Sequence, residues 1–538
     1  MITVPTASPR RPRPAAPALL LALAALLAAP GCARKNYGRA DARPPAAATR
    51  PLPPGQDSVP GLAAGRHYNT RSWPLRLLLG RHYRRVWAAP VTAPVLRLAT
   101  AAPDGGPLTP GKAGGGFQTA ALTLADAAGH PYVLRGLDKD PRKVLPPWLR
   151  YTFVLNVVRD ATSAANPYAA LVVPPLAQAA GVPHAHPRLV YVRPDEAGLG
   201  ELSPRFRGRL ALLEEKYSGP HFRPALAPPG TTALVDGEHM LAAVYASPQA
   251  RMAGPAFLRA RLLDVLLGDW DRHEGQWSWA ATPGPAPGTT RYVPVPKDRD
   301  QVFYRFNDGL LPWLAARPFI AGQFQTFKPR YGHVPSLVHQ AQFIDERGLM
   351  ALGRRDFLAA AARLQARLPD SVLARAVRCF PPAVYALEGP RTLAALRARR
   401  AALPAAALAY YRTLARRPAL AGTQQPERFT LRQYADSVVV EIAALAPVAP
   451  AAAPAAPYFT RTFYPAETRC LTLLGLGGDD EFVVVPPPAG RPAPIGLRLR
   501  GGPGTNRLQA PPRARRVRFD NDPLPRWHGL PYERLNDD

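Results

Sequence analysis

The chain of 538 residues is 47% hydrophobic and carries 68 basic against 38 acidic residues, a formal charge of +30. That length and apolar content suit two or three domains with sizeable cores and exclude a disordered polypeptide. The charge does not point to nucleic acid: only seven basic residues are lysine, the rest are arginines scattered among alanine and proline, and no compact basic run is interleaved with aromatics.

Arg10, Arg11 and Arg13 precede the apolar run ALLLALAALLAA from Ala18, which ends in small residues at APGC. This is an export-signal pattern, too short for a mature membrane span, and it makes Cys32 the acylation site of a lipoprotein whose signal peptide is residues 1–32. Pro30 is unusual for that motif, and the alternative is a plain secretory signal with an incidental cysteine. The expectation is a protein of the bacterial cell envelope, held at the outer membrane through lipid and in reach of other outer-membrane proteins. No second segment approaches the roughly 18 apolar residues of a span. Cys379 and Cys470 remain; they are too few for a disulfide framework, and no Cys/His spacing suggests zinc.

Residues 33–93, rich in Pro, Ala and Arg, read as a tether. From Pro94, VLRLAT alternates like a strand, PDGGPLTPGKAGGG reads as a glycine-rich loop, and FQTAALTLAD and PYVLRGLD resume the alternation. LPPWLRYTFVLNVVRDATSAAN has helical spacing at Tyr151, Leu155 and Val158, and two further strands, RLVYVR and RLALLEEKY, follow. Strand, strand, strand, helix, strand, strand is the order of a protein-kinase small lobe, assigned with its hinge region to 94–255. A helical large lobe is assigned to 256–443, beginning with AFLRARLLDVLLG and containing RYVPVPKDRDQVFYRF as strand, acidic turn and strand. ALAPVAPAAAPAAPY, centred on 444–457, reads as a linker to a small β-rich domain, 458–538. The fold class expected is therefore α+β, a kinase-like two-lobe fold with a C-terminal β domain.

Phosphoryl transfer from ATP needs a cover for the phosphates, a cation, a carboxylate beside the acceptor and a carboxylate on Mg²⁺. Gly111, Gly114, Gly115 and Gly116 are placed to let backbone N–H groups approach phosphates, although a flexible hairpin loop would look the same. Lys139 and Arg135 compete for the cation. The scarcity of lysine (Lys112, Lys139, Lys143, Lys216, Lys297 and Lys328 in the folded region) favours Lys139, with Asp160 on the following helix as its partner.

After these comes GDWDRHEGQW. DRHEGQ resembles the DRHxxN catalytic loop of lipid-kinase-like and other atypical kinases. The resemblance implies that Asp271 handles the acceptor proton, that His273 supports the loop, and that Gln276 stands in the place of a metal-binding asparagine. KDRDQVF resembles their metal loop and implies Asp298 as ligand of Mg²⁺ (or Mn²⁺), with Asp300 as the alternative. From about Gly114 to Phe482, the motifs GGFQTAALTL, LRGLDKDP, GDWDRHEGQW, PVPKDRDQVF and GLGGDDEF resemble an uncharacterised region of bacterial surface proteins. That region is found beside calcineurin-like phosphoesterase and BamA-like barrel domains and is remotely similar to HipA- and CotH-type atypical kinases. It implies location and domain limits more than a reaction. Two other readings stand beside the kinase: a metal-dependent hydrolase using Asp269, Asp271, His273, Asp298 and Asp300, and a non-catalytic envelope binding or assembly protein. In the tail, GLGGDDEF and RGGPGTN resemble calcium-roll turns. Two imperfect copies are not expected to stack, and turns of a β-sandwich are expected instead.

Overall fold

The computed structural model describes residues 56–63, 72–114, 119–222, 227–445, 456–512, 516–521, 526–527 and 530–531. Cys32, Gly115 and Gly116 lie outside them. The protein is mixed α+β with several sheets, as expected. No helix among the described residues is long and apolar enough to cross a membrane.

Regular structure begins before the residue expected. Ser58–Gly61 pairs antiparallel with Val91–Pro94, and two short helices, α1 (Trp73–Leu79) and α2 (Arg84–Trp87), lie between them in the chain. Tyr83, Val86 and Trp87 are buried in the main core. These three residues correct the tether expected over 33–93: in an Arg/Pro-rich stretch, two aromatics and a valine within one turn are enough to dock it.

Five antiparallel strands follow in space as β1-β2-β3-β5-β4: β1 (Thr109–Gly114), β2 (Thr119–Ala125), β3 (Pro131–Lys139), β4 (Arg188–Val192) and β5 (Arg209–Glu215). Alternation sends Leu122, Leu124, Tyr132, Leu134, Val192 and Leu213 to one face, where Leu96, Leu108 and Phe206 close a core. Val133, Arg135, Leu212 and Glu214 therefore point the other way, into a cleft. Two expectations change here. VLRLAT is not a strand, because Leu96 is spent on covering the sheet and only Val95 bridges to it. Gly111 and Gly114 lie in the edge strand β1 and not in a loop; its Pro110 is tolerated there beside a register irregularity.

Between β3 and β4 the expected long helix shortens to α3 (Phe153–Ala161), started by Thr152, whose hydroxyl accepts from the Val154 N–H at 3.3 Å. Upstream, the residues before Pro146 and Pro147 are steered away from helix, and Trp148 and Tyr151 stay exposed.

The helical body surrounds α4 (Gly254–Leu267), buried along almost its whole length. Apolar residues on every side make it a core helix, and Gly268 ends it in the left-handed conformation at φ 71°. A second sheet, β6 (Ala233–Asp236), β7 (Ala250–Met252), β8 (Trp277–Pro283) and β9 (Thr290–Pro296), has the order β6-β8-β9-β7. Residues 301–303, expected as strand, form a turn, because Val302 and Phe303 are drawn into the core at a bend where Phe303 has φ 60°. A short helix, α5 (Leu310–Ala315), follows, and then α6 (Arg354–Arg367), α7 (Pro382–Ala401) and α8 (Leu403–Ala415) pack around α4.

The C-terminal part is a parallel two-sheet coil. One sheet is β10 (Ala419–Ala421), β14 (Cys470–Leu474), β16 (Gly496–Arg500) and β18 (Val517–Asp520), all parallel. The other is β13 (Phe459–Phe463), β12 (Val438–Ala444), β11 (Glu427–Gln433), β15 (Glu481–Val485) and β17 (Arg507–Gln509), with β11, β15 and β17 parallel. The Ala/Pro run therefore connects two antiparallel neighbours of one sheet, β12 and β13, and is not a linker between domains. The two glycine turns do stack, against expectation. Asp480 and Asn506, 26 residues apart, occupy equivalent places, the Asp480 N–H donating to Asn506 Oδ1 at 3.0 Å. The turn carboxylates accept from backbone donors: Asp480 Oδ1 from Glu427 N at 2.9 Å and Asp479 Oδ1 from Thr505 N at 2.7 Å, which leaves Asp480 Oδ2 buried without a partner. Cys379 and Cys470 are both free thiols.

Candidate functional site

The β8–β9 hairpin decides what meets in the cleft. Its register pairs Trp277 with Pro296, so the loop entering β8 (269–276) and the loop leaving β9 (297–300) lie side by side, tied by Lys297 N–H to the Gln276 carbonyl at 2.9 Å. Two motifs separated in the chain by a strand pair are thereby brought together.

Below these loops lies a buried charge network. Arg261 donates to both oxygens of Asp345 (2.8 and 3.1 Å) and to Asp264 at 2.8 Å. Arg299 bridges Asp264 and Asp269, the latter at 2.9 Å. Arg272 donates to the carbonyls of Lys297 (2.8 Å) and Gln276 (3.0 Å) and stacks on Trp277, with its guanidinium carbon 4.5 Å from the ring centre. Three arginines hold Asp264 below the ordinary carboxylate range despite its burial, with Arg299 the strongest contributor. Burial pushes Asp269 up to about 6, against the pull of Arg272 and Arg299. Asp269, Arg272 and Arg299 are thus the frame on which both loops are set.

The cleft above is lined differently. Arg135 of β3 donates to Glu214 of β5 at 3.0 Å and to Asp298 at 3.3 Å, and Lys139, at the end of β3, bonds Asp300. Asp298 adopts φ 50°, rare for a residue with a side chain and of the kind that clusters at working sites. Burial raises the Asp298 carboxyl and neighbouring Asp300 raises it further, against Arg135 and Lys139. Asp300 goes the other way, because Lys139 outweighs its burial. Lys139 is itself raised, Asp300 overcoming the desolvation that alone would lower it. Asp271 is raised by burial and by the charges of Asp300 and Asp298, partly offset by His273, whose Nε2 lies 3.9 Å away. The Glu274 carboxylate, 3.7 Å from His273 Nδ1, raises His273. Beside Asp271 stands an aromatic wall of Trp270, Tyr304 and Phe324, with ring centres 4.7 to 6.0 Å apart.

Two cavities open between sheet and loops. One of about 510 Å³ is bounded by Val133, Val173, Glu214, Tyr217 and Lys297, and one of about 480 Å³ by Leu137, Lys139, Asn166, Leu212 and Asp300. Arg135 and Asp298 line both.

Of the expected residues, Arg135, Lys139, Asp271, His273, Asp298 and Asp300 converge here. Asp160 does not join Lys139: its two oxygens take both terminal nitrogens of Arg84, at 2.7 and 2.6 Å, because α3 turns that end toward α2. Gln276 contributes its backbone carbonyl to the frame. Asp269 serves Arg299 and Arg272. Among the described residues no group of three or more His, Cys, Asp or Glu side chains is gathered closely enough to hold a metal ion, so the five-ligand hydrolase set is not assembled. Glu214, Arg299 and Arg272 were not singled out from sequence. Glu214 was within reach of the alternation, two places from Leu212 on the face that carries Arg135.

No family model matches the chain, and no curated protein sequence matches it. Among solved structures it is similar to the Rio2 kinase of Chaetomium thermophilum in its ADP/Mg²⁺-phosphoaspartate complex, at 14% identity over 53% of this chain and 72% of that one, with a TM-score of 0.24.

Proposed function

We propose that this chain is an atypical kinase-like phosphotransferase, anchored in the cell envelope through Cys32, that moves phosphate from Mg-ATP to an acceptor. The observation that carries the reading is the facing of two cations on one strand, Arg135 and Lys139, against two carboxylates of one loop, Asp298 and Asp300, with Asp271 beside them. A five-stranded antiparallel sheet with a helix between its third and fourth strands, set over a helical body, supports a two-lobe kinase-like architecture around that cleft.

Each part has a chemical use. Val133, Val173 and Tyr217 offer an apolar slot for a base, and Arg135 and Lys139 offer charge for phosphates that would take over the partners they hold now. Two carboxylates fit Mg²⁺ or Mn²⁺ of the substrate complex, since such an ion keeps waters and phosphate oxygens as its other ligands and needs no closed protein cage. Bound there, it would neutralise phosphate charge. Asp271, with its carboxyl raised, is placed to accept the proton of an acceptor hydroxyl, and His273 orients it.

The test is thermal melting with nucleotide. Mg-ATP at about 100 times its Kd stabilises by about 2.7 kcal/mol, which for a domain of 150 to 250 residues is roughly 5 to 10 °C. Asp298→Asn is expected to lose the shift. Asp271→Asn is expected to keep it and lose transfer, the first carboxylate serving the bound complex and the second the chemical step. If neither Mg-ATP nor Mn-ATP moves the parent's melting point, the transferase reading fails and a non-catalytic envelope scaffold replaces it.

A further inference from the structure

Helix α1 has no buried residue. It nevertheless carries Trp73, 71% exposed, and Leu77, 65% exposed. Its apolar side chains therefore stand outside the cores, in an exposed apolar patch of the kind that marks an interaction surface. It packs beside α5, whose Leu310 and Trp313 are also exposed, and the chain beyond α5 shows Phe319 (83%) and Ile320 to solvent. The two segments are locked together. His82 donates its backbone N–H to Asp308 at 2.8 Å, its ring nitrogen lies 2.7 Å from the same carboxylate, and Gly309 approaches Gly80 so closely that a Cβ would stand 2.1 Å from the Gly80 nitrogen. The apolar face is therefore a fixed feature of the fold.

We infer that the α1–α5 face docks on the surface of the membrane to which the chain is anchored. The inference rests on the anchoring part of the proposed function. Three observations select a bilayer as the occupant. First, residues 33–55 connect the anchor at Cys32 to the first described residues, and whatever their conformation they reach at most about 80 Å at about 3.5 Å per residue. A surface tethered that close meets the bilayer at high effective concentration, so weak affinity suffices. Second, Arg76 lies on α1 itself and Arg317 lies over Trp313 at 3.4 Å, while Arg81 and Arg85, which follow α1 in the chain, are exposed; tryptophan and arginine beside aliphatic side chains suit the headgroup level of an anionic bilayer. Third, the one acidic group at the junction of the two segments, Asp308, is held by His82, so it leaves the face basic.

The experiment uses the full chain with Cys379 and Cys470 changed to serine and one fluorophore-bearing cysteine at Leu77→Cys, Trp313→Cys or, as a control in the β coil, Arg432→Cys. The protein is floated with vesicles of phosphatidylethanolamine and phosphatidylglycerol carrying a nitroxide-labelled lipid. Expected is flotation with several-fold stronger quenching at 77 and 313 than at 432, abolished at 77 by Trp313→Glu with the melting point unchanged. Flotation with equal quenching at all three positions leaves the anchor standing and overturns docking. Absence of flotation refutes the anchor, and absence of quenching at saturating vesicles then refutes docking as well. If the chain dimerises without lipid and Trp313→Glu makes it monomeric, the face is a self-association surface and the proposal is wrong.

Discussion

Arg299→Met tests whether the buried network sets the two loops. Arg299 is the close partner of Asp269, at 2.9 Å; the nearest other cation, Arg272, lies 3.7 Å away, and Asp269 Oδ1 has no hydrogen-bond partner. Asp264 would keep Arg261 and Arg272, so the loss falls on Asp269. Breaking a buried ion pair while leaving one charge behind costs about 3 to 5 kcal/mol. That cost has a ceiling, because Asp269 can take a proton instead. Its carboxyl already stands at about 6, and without Arg299 it must rise further. A carboxylate raised in the folded state gives stability that is present at low pH and lost as pH climbs to the folded pKa. In the parent that loss is complete by about pH 6; in the variant it continues to higher pH, at about 1.4 kcal/mol per unit. The penalty at pH 8 should therefore exceed that at pH 6 by up to about 3 kcal/mol, measured as the shift in urea unfolding midpoint at each pH. Asp269→Asn in the Arg299→Met background should recover most of the loss at pH 8 and little at pH 5.5. An equal penalty at both values, or no rescue, would refute the assignment of Asp269 as the charge that Arg299 neutralises.

Asp480→Asn should flatten the pH dependence of the β coil: burial raises Asp480 to about 8, so the parent loses stability as pH rises from the ordinary carboxylate range toward 8, whereas asparagine, already used at the equivalent Asn506, cannot titrate. Parallel melting-temperature profiles for parent and variant between pH 5 and 9 would contradict this. Cys32→Ser should move the protein from the membrane fraction to the soluble envelope fraction, since stable attachment depends on the acyl chains; an unchanged distribution on fractionation would remove the lipoprotein reading.

The parts of the fold legible in the sequence are those where one short period decides burial. Strands β2, β3, β4 and β5 are short apolar-rich runs set off by turn residues, and α4 carries apolar residues on every side around Arg261 and Asp264, so each could be placed from its own residues. The convergence of Asp271, Asp298 and Asp300 was legible as well, because a hairpin between two loops leaves them no other place to go. What was not legible depended on partners far away in the chain. Asp160 finds Arg84, 76 residues earlier, in a segment whose arginines look alike. The β coil was hidden because its rungs share little beyond glycine and one Asp or Asn position; a single valine-rich run such as FVVV suits a sandwich and a coil equally well.

The distribution of lysine separates the two layers of the site. Arginine fills the frame below the loops, where Arg261, Arg272 and Arg299 are almost wholly removed from solvent, and a guanidinium that keeps its charge under burial suits a fixed scaffold. Of the six lysines in the folded region, Lys139, Lys216 and Lys297 line the cleft cavities. Burial lowers Lys297 to about 8, while Lys139 is held charged by the carboxylate of Asp300. In a chain biased so strongly toward arginine, these three lysines stand together on the cleft side, beside Arg135, while the buried frame beneath them is built from guanidinium groups alone.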